Sequence, residues 1–364
     1  MVRALDGEAV GFAAARCLYK GLFEQQASAV QDFYAQKAMA TQRQRGQLSS
    51  SGPSDKIRAY NNLVKVLLIE QFVDKLPAPV RVLDLGCGRG QDVLKYSREF
   101  RGPSLAKYVG VDFAAEAVEA ARNRYSWLAS KGSKDGEYAG HFYAGDLRSH
   151  HTFDQLAADG HDEFDVIAVQ FALHYLASSE KDMRAFLGRL RGLLRPGGRF
   201  IATVPASESL LEDCKRARAG AGTGAQDNGL YRVHFQGPTW QALACCGEEA
   251  LEEAFSQQWG LAYTFSLVDA VDPLEEYVLP WEAFEALAES FGFRVMADAP
   301  FQEVLEAYMG ESAFFRNVFS KMPGTSQLDA QEQELFNLYN SFVLERLADE
   351  ASRASGRTLP PSAS

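Results

Sequence analysis

Cysteine is scarce in this sequence and is arranged neither for metal binding nor for a disulfide framework. The 364 residues contain five cysteines, an odd number, and no C-x-x-C spacing occurs. The six histidines do not stand at the spacings of metal ligands either. We therefore expect a protein of a reducing compartment that has no metal site.

Long hydrophobic runs and an excess of positive charge are also absent. No apolar stretch is long enough to span a bilayer, and the N-terminal AVGFAAARCLYKGLF is interrupted by Arg16 and Lys20. The formal net charge is −11, whereas proteins that coat long nucleic acids are usually basic. We expect no membrane partner and no targeting peptide. Any nucleic-acid partner should be short or bound by a local basic patch.

What the sequence does contain, from residue 79 onward, is an alternation of short β-rich runs with helical segments. This alternation is typical of parallel α/β folds. The predicted strands are 80–86, 107–113, 140–146, 164–171 and 198–205, and the predicted helices are about 91–99, 115–129 and 180–194.

The rest of the chain is less regular, and it sets the predicted domain boundaries. We predict a mobile loop at 218–229, an acidic helix at 240–258, a hairpin over YTFSLVDAV and EEYVLP, and a final helix or helix–strand element over AQEQELFNLYNSFVLERL. The expected organisation is an N-terminal helical and linker extension (1–54), one domain (55–347) with an insertion (206–260), and a disordered tail (348–364).

Three glycines on alternate positions follow the first predicted strand. Gly86, Gly88 and Gly90 do not form the dinucleotide motif G-x-G-x-x-G, because the position of its third glycine is occupied by Gln91. With Asp84 ahead of them, they form D/E-x-G-x-G-x-G between a strand and a helix. This pattern suits S-adenosylmethionine (SAM), which has no pyrophosphate and requires close approach to the backbone.

Two further carboxylates stand at the ends of the next two strands. Asp112 ends the second strand, where a carboxylate accepts hydrogen bonds from both ribose hydroxyls. Asp146 ends the third strand, where it could accept from the adenine amino group. Together with the glycines, these signals favour SAM binding over a dehydrogenase or a purely structural interpretation.

The end of the fourth strand, QFALHY, concerns the methyl acceptor. It has neither the Asn/Asp-Pro-Pro-aromatic tetrapeptide of enzymes that methylate exocyclic amines nor the Pro-Cys nucleophile of cytosine C5 chemistry. It offers His174 and Tyr175 and no strong base. Such a site suits an acceptor that already has a free lone pair, such as a ring nitrogen.

At this point the sequence resembles the eukaryotic and viral mRNA cap guanine-N7 methyltransferases, over about residues 30–347. QFALHY followed by PGG-x-FI is the most specific part of the resemblance. The segments that carry it are YNNLVK, VLDLGCGRGQD, FDVIAVQFALHY, LLRPGGRFIATVP, EEY and LYNSFV.

The resemblance implies a fold, a cofactor and a reaction. The fold is an α/β class I SAM methyltransferase, with a Rossmann-like, mostly parallel seven-stranded sheet, helices on both faces and an N-terminal helical extension. SAM donates the methyl group and leaves as S-adenosylhomocysteine (SAH). The acceptor is N7 of the guanine cap of mRNA (GpppN), attacked by in-line displacement without a general base.

Matching the motifs residue by residue assigns site residues, again as the resemblance implies them. Three residues position the substrate: His174, Tyr175 and Glu276. The cofactor residues are Lys65, Gly86, Asp112, Asp146, Gln170 and Tyr175, and the cap residues are Asn61, Asn62, Arg89, Asp92, Arg124, His174, Glu276 and Tyr339. The chain departs from the family pattern at Leu63, Arg89 and Gln91, where the family has Trp, Lys and Gly.

Two alternatives stay open at this stage. A small-molecule methyltransferase would share the chain up to Pro205 but would not need Asn61, Glu276 or Tyr339. A non-catalytic SAM-fold partner subunit is disfavoured by the intact cofactor motif. The expected partner is the capped mRNA end, with other capping enzymes or the RNA polymerase II machinery as further candidates. We expect a nuclear monomer, or a cytoplasmic one in a virus or parasite.

Overall fold

The computed structural model describes residues 53–96, 104–130, 139–220, 222–309, 316 and 327–348, all of which fall within one unit, Ser49–Ser364. The predicted N-terminal extension and C-terminal tail lie almost entirely outside these residues. Within the described residues, none of the helices combines the length and apolarity required to cross a bilayer.

The strands form two sheets. Seven belong to a central sheet of order β10-β11-β5-β4-β1-β2-β3, which is parallel except for β11, and four form an antiparallel sheet of order β6-β7-β8-β9. The strands are β1 Val80–Leu85, β2 Leu105–Asp112, β3 Ala139–Ala144, β4 Phe164–Gln170, β5 Leu194–Pro205, β6 Ala225–Asp227, β7 Tyr231–His234, β8 Ala262–Leu267, β9 Val271–Tyr277, β10 Phe293–Pro300 and β11 Tyr339–Arg346.

Ten α-helices and two short 3-10 helices, Asp92–Tyr96 and Leu173–Leu176, connect these strands in the described part of the chain. The α-helices are α1 Pro53–Phe72, α2 Ala115–Ser130, α3 His150–Ala158, α4 Glu180–Leu193, α5 Ser207–Ala219, α6 Gly237–Cys245, α7 Glu248–Gln257, α8 Trp281–Ser290, α9 Phe301–Met309 and α10 Ala330–Asn337.

Local sequence signals explain where several helices begin. The hydroxyl oxygen of Ser179 accepts a hydrogen bond from the Asp182 N–H at the start of α4. A reciprocal capping box joins Asp329 and Glu332 at the start of α10. Such side chains satisfy backbone N–H groups that have no partner in the first turn of a helix.

The central sheet is covered by helices on both faces, as predicted. Successive strand residues alternate between two cores, so Val82 faces one and Leu83 the other. Helices α1, α9 and α10 contribute to the first core, and α3, α4 and α8 contribute to the second. The predicted α/β class with a mostly parallel seven-stranded sheet is therefore confirmed.

Most predicted strands agree with the structure, but three elements differ. The segment predicted as a mobile loop, 218–229, includes the end of α5 and strand β6, so that prediction is wrong there. The acidic helix predicted at 240–258 is two helices, separated at Cys246 and Gly247. The helix predicted at 91–99 is a 3-10 helix over its described part.

The segment predicted as an insertion supplies half of the second sheet. Strands β6 and β7 pair with the predicted hairpin, β8 and β9. The C-terminal element is a helix followed by a strand, α10 and β11, and β11 lies between β10 and β5. The hairpin and β11 bring residues from the end of the chain to the carboxyl end of β4.

Candidate active site

The glycine-rich turn after β1 leaves its backbone open at one position. Gly86, Gly88 and Gly90 all have positive φ, at +81°, +51° and +66°. A Cβ on Gly86 would lie 2.7 Å from the Cβ of Ala172, and a Cβ on Gly90 would lie 3.0 Å from that of Ala121. A Cβ on Gly88 would meet nothing within 4 Å. Packing therefore requires two of the glycines, while the third offers its backbone to open space.

Asp112 fixes this turn from the end of β2. Its Oδ2 accepts a hydrogen bond from the Gly88 N–H at 2.7 Å, and its Oδ1 accepts one from the Ala114 N–H at 3.0 Å. Burial raises the pKa of Asp112, although the backbone N–H donors oppose this shift. The carboxylate thus stands beside the open backbone of Gly88, at the sheet edge where parallel α/β folds bind ligands.

A buried carboxylate below the turn is shared by two lysines. Asp92 Oδ2 lies 2.9 Å from Lys65 Nζ, and Asp92 Oδ1 lies 2.5 Å from Lys95 Nζ. Burial alone would raise the pKa of Asp92, but the two ammonium groups outweigh burial and hold that pKa below its usual range. Asp92 is therefore ionised at neutral pH and is fixed from both sides.

A second buried carboxylate, Asp84, lies close to this group. Its Oδ2 accepts a hydrogen bond from the Tyr108 hydroxyl, while its Oδ1 has no hydrogen-bond partner in the described part of the chain. Burial, followed by the nearby charge of Asp92, raises the pKa of Asp84 to about 7. The acidic residue that precedes the glycines is thus an internal group rather than an exposed one.

The end of β4 brings three parts of the chain into contact. Phe171 has a φ of +57°, and its N–H donates to Thr203 Oγ1 at 3.0 Å. Its ring lies 5.1 Å from Lys65 Nζ and packs edge-to-face on Tyr339 at 4.9 Å. Gln170 Oε1 accepts from the Thr203 hydroxyl at 3.0 Å. The Phe171 backbone is in a region that non-glycine residues adopt rarely, as is common at functional sites.

Glu276 is the most tightly held side chain of the site. It is 4% exposed, and its two oxygens accept hydrogen bonds from different tyrosines. Oε1 accepts from the Tyr175 hydroxyl at 3.1 Å, and Oε2 accepts from the Tyr263 hydroxyl at 2.9 Å. His174 Nε2 lies 3.5 Å from Oε1, and neither nitrogen of this buried ring has a hydrogen-bond partner among the residues that the structure describes. Strands β8 and β9 and the 3-10 helix after β4 thus meet at one carboxylate.

The strand register separates Glu276 from its neighbour. Glu276 pairs with Tyr263 across the hairpin and faces inward, whereas Glu275 faces the opposite side. There Glu275 is half-buried and accepts a hydrogen bond from the Tyr277 hydroxyl at 2.8 Å. Adjacent glutamates of β9 therefore face opposite sides of the second sheet.

Other predicted site residues have partners within the protein. Asp146 is bound by Arg148, with Nη2 to Oδ2 at 3.0 Å and Nε to Oδ1 at 3.2 Å. Arg124 Nε donates to the Arg89 carbonyl at 3.1 Å, which links α2 to the glycine turn. Because of its contacts with Arg148, the Asp146 carboxylate faces its own loop and not the glycine-rich turn after β1.

Helix α1 contributes an amide one turn before Lys65. Asn61 and Asn62 are both half-buried on this helix. Asn61 Oδ1 is buried and has no hydrogen-bond partner within the described ranges of the chain. A residue four positions ahead of Lys65 lies on the same helix face, so this unpartnered acceptor is placed on the side of the lysine.

Sequence reasoning missed three residues of this site. Tyr263 lies in the predicted hairpin, but its pairing with Glu276 depends on the strand register that the structure shows. Thr203, which supports Gln170 and Phe171, lies in a run that reads only as a buried strand. Lys95 has no sequence signal, because a lysine in a polar segment is usually exposed.

These residues fit SAM. The open backbone at Gly88 and the carboxylate of Asp112 lie at adjacent strand ends, where the glycine-rich turn can accommodate the methionine portion and Asp112 the ribose. Lys65 is a cation near the same edge and is suited to the methionine carboxylate. Asn61 and His174 each carry buried polar atoms that lack a hydrogen-bond partner in the described part of the protein, and such atoms are available to a ligand.

The chain is similar to known proteins over most of its length. The family model described as the mRNA (guanine-N(7))-methyltransferase domain matches residues 20–347. A solved structure of a SAM-dependent methyltransferase from Clostridium acetobutylicum is 14% identical, with 81% of this chain and 96% of that chain covered and a TM-score of 0.44.

Several curated relatives match most of the chain. The mRNA cap guanine-N(7) methyltransferase of Schizosaccharomyces pombe is 29% identical over 81% of this chain and 76% of its own length. The mRNA cap guanine-N(7) methyltransferase 1 of Arabidopsis thaliana is 30% identical over 90% and 84%. The chain spans about half of the Aspergillus niger relative, at 29% identity. With the family model covering nearly all of the described residues, this chain belongs to the mRNA (guanine-N(7))-methyltransferase family.

Proposed function

We propose that this protein transfers the methyl group of SAM to N7 of the guanine in a GpppN cap. The observation that carries the proposal is the buried Glu276 carboxylate, held by Tyr175 and Tyr263 beside the strand ends that fit SAM. Family membership supports the same reaction.

Three parts of the protein would hold the cofactor. The backbone at Gly86 and Gly88 would contact the methionine portion, Asp112 would accept from the ribose hydroxyls, and Lys65 would bind the methionine carboxylate. Gln170 and Tyr175 complete this set. Asp146 would contact the adenine only after exchanging its Arg148 partner. When bound, SAM supplies a methyl group activated by its sulfonium.

Glu276 would select the base. Guanine presents N1–H and the 2-amino group on one edge, and a carboxylate can accept both hydrogen bonds at once. Adenine has no such pair of donors. The hydroxyls of Tyr175 and Tyr263 fix the orientation of the carboxylate, so that little reorganisation is needed when guanine arrives.

The remaining cap residues surround this pocket in the proposal. Arg89 and Arg124 would bind the triphosphate as charged donors. His174 would flank the guanine, and Tyr339 would provide apolar contact. Asn61, Asn62 and Asp92 would contact the nucleoside from α1 and from the segment after the glycine turn.

No acid or base is required for the reaction. Guanine N7 has a free lone pair, and positive charge builds on the purine as the methyl group is transferred. The protein would align N7 with the methyl group and exclude water, and such positioning can lower a barrier by ~7–11 kcal/mol. The negative charge of Glu276 opposes the positive charge that forms on guanine, so its contact strengthens toward the transition state.

Methyl transfer from labelled SAM to GpppA tests the proposal. We expect a base-methylated dinucleotide, weak activity on GTP, and no activity on a triphosphate RNA that begins with A. Transfer to a small amine, with none to GpppA, would contradict the proposal.

The partners and cellular location are also proposals. We infer that the protein acts as a monomer on capped 5′ ends in the nucleus, together with other capping enzymes or RNA polymerase II. Light scattering of the purified chain and fluorescence of a tagged copy in its own cells test these two points. A stable dimer or an exclusively cytoplasmic signal would contradict them.

A further inference from the structure

Lys95 is a buried cation that has no role in the proposed binding of SAM or of the cap. It is 6% exposed, and its ammonium lies 2.5 Å from Asp92 Oδ1. Burial lowers the pKa of Lys95, whereas the charge of Asp92 raises it. Burying an ammonium group is costly unless it is paired, so its position calls for a physical reason.

Lys65 shares the same carboxylate but differs from Lys95 in its surroundings. Its ammonium is 2.9 Å from the other oxygen of Asp92, and it lies 5.1 Å from the Phe171 ring at the end of β4. Both side chains are largely enclosed, with Lys65 13% and Lys95 8% exposed, and they differ chiefly in that Lys65 also contacts Phe171 at the end of β4.

The charges of this group have a direct consequence for an anionic ligand. A single lysine paired with Asp92 would be neutralised, and an incoming carboxylate would compete with Asp92 for it. A second lysine leaves the group with net positive charge. Asp84 is adjacent, and any negative charge on it would further offset the charge of Lys65. The second cation, Lys95, is then needed even more to keep the group positive.

We propose that Lys95 is a positioning residue that neutralises Asp92 and thereby leaves Lys65 available for the carboxylate of SAM. The inference rests on the proposed assignment of Lys65. It differs from a general structural role because it concerns only ligands that carry the methionine carboxylate.

Calorimetry with two ligands separates these possibilities. SAH carries the amino-acid carboxylate, and 5′-methylthioadenosine has the same nucleoside thioether without it. We expect Lys95→Met to weaken SAH binding by about 10- to 100-fold, the range for a hydrogen bond to a charged group, and to leave binding of 5′-methylthioadenosine within about threefold of wild type. Equal losses for both ligands, or no loss for SAH, would overturn the proposal.

A second substitution provides a rescue. Asp92→Asn in the Lys95→Met background removes the competing carboxylate, so SAH affinity should return to within about threefold of wild type. Lys95→Arg keeps the charge and should also bind SAH. If the single variant Lys95→Met does not fold, the double variant Asp92→Asn/Lys95→Met and the variant Lys95→Arg test the proposal. A loss of SAH affinity in either of them overturns it.

Two controls identify the source of a failure. Lys56 is another partly buried lysine on α1, and its Nζ lies 2.5 Å from Glu332 Oε2. This pair does not involve the glycine-rich turn, so the Lys56→Met protein should bind both ligands normally. Lys65→Met should lose SAH binding selectively; if it does not, the inference is overturned, whereas methyl transfer to GpppA by the wild-type protein tests the proposed function independently.

Discussion

At the scale of single residues, two carboxylates of the site have contrasting surroundings. Glu276 accepts hydrogen bonds from two tyrosine hydroxyls and is enclosed by aromatic rings. Asp112 accepts from two backbone N–H groups beside an open stretch of chain. The first is suited to recognise a flat heterocycle through its edge, and the second to recognise vicinal hydroxyls.

Glu276→Gln tests base selection. The amide retains the shape but turns one acceptor into a donor that faces a guanine donor. An unmatched buried polar pair costs ~2–5 kcal/mol, which corresponds to roughly a 30- to several-thousand-fold loss in kcat/KM. We expect kcat on GpppA to fall together with kcat/KM, and SAM affinity to change by less than about threefold.

The adjacent residue is the matched control. Glu275→Gln should be nearly silent, because Glu275 faces the other side of β9 and contacts Tyr277. Steady-state kinetics on GpppA should therefore separate the two variants. If Glu275→Gln causes the loss and Glu276→Gln does not, the guanine pocket lies on the other face of the strand.

Asp112→Asn tests the ribose contact. The amide keeps one acceptor oxygen for one of the two backbone N–H donors, and its NH2 group replaces the other oxygen, where acceptors are required for a backbone N–H and a ribose hydroxyl. We expect SAM binding to weaken by ~1.5–3 kcal/mol, the range for hydrogen bonds to a charged group, as measured by calorimetry. Asp162 is exposed at the opposite end of the sheet, so the Asp162→Asn protein should bind SAM with normal affinity. Weaker SAM binding by Asp162→Asn, or unchanged binding by Asp112→Asn, would mean that the nucleoside binds elsewhere.

At the scale of elements, a buried carboxylate joins the second sheet to its neighbouring helix. Asp213 on α5 accepts a hydrogen bond from the Tyr231 hydroxyl of β7 at 3.2 Å and lies 3.1 Å from Arg216. Burial raises the pKa of Asp213 to about 6, although Arg216 and Tyr231 oppose the shift. The joint is therefore sensitive to pH.

The sign of this sensitivity follows from the direction of the shift. The folded state holds the Asp213 proton more tightly than the unfolded state, where the pKa is near 3.8. The resulting stabilisation is fully present below that value and is lost as pH rises through about 6. Asp213→Asn should therefore gain ~2–3 kcal/mol relative to wild type between pH 4 and pH 7.

Urea unfolding at several pH values measures this gain. The exposed Asp227→Asn should show no such change relative to wild type. A constant difference between wild type and Asp213→Asn across the range would mean that Asp213 titrates alike in both states.

The elements also show what the sequence could predict. The parallel strands were predictable because each is a short apolar run bounded by turn residues. Strand β6 was not, because its three residues, Ala-Gln-Asp in a glycine-rich segment, carry no periodic pattern and pair only through tertiary context. The single acidic helix predicted at 240–258 is interrupted at Cys246 and Gly247, between α6 and α7. The acidic composition on which that prediction relied gives no sign of this interruption.

The site follows the same rule. Residues at strand ends, such as Asp112, were predictable because topology fixes where strand ends lie. The Asp146–Arg148 pair and the position of Lys95 depend on side-chain geometry, which leaves no signature in spacing.

At the scale of the whole molecule, charge limits the interaction with RNA. The net charge of −11 leaves few cations for phosphates beyond the cap. We expect kcat/KM for a capped 20-nucleotide RNA to lie within about threefold of that for GpppA, with a salt dependence no steeper than the cap phosphates explain. Steady-state kinetics on both substrates over a range of salt concentrations measure the two values of kcat/KM. A strong preference for the long RNA would contradict the prediction and indicate a basic surface that binds RNA beyond the cap.

The position of β11 has a consequence for the protein during its synthesis. This strand, close to the end of the described chain, lies between β5 and β10, and its first residue packs on Phe171. On the ribosome, every other strand of the central sheet emerges before it. Until residue 346 has left the exit tunnel, β10 lacks its β11 partner and β5 exposes an unpaired edge, so the nascent chain is exposed to aggregation and its methyltransferase site is incomplete until that point.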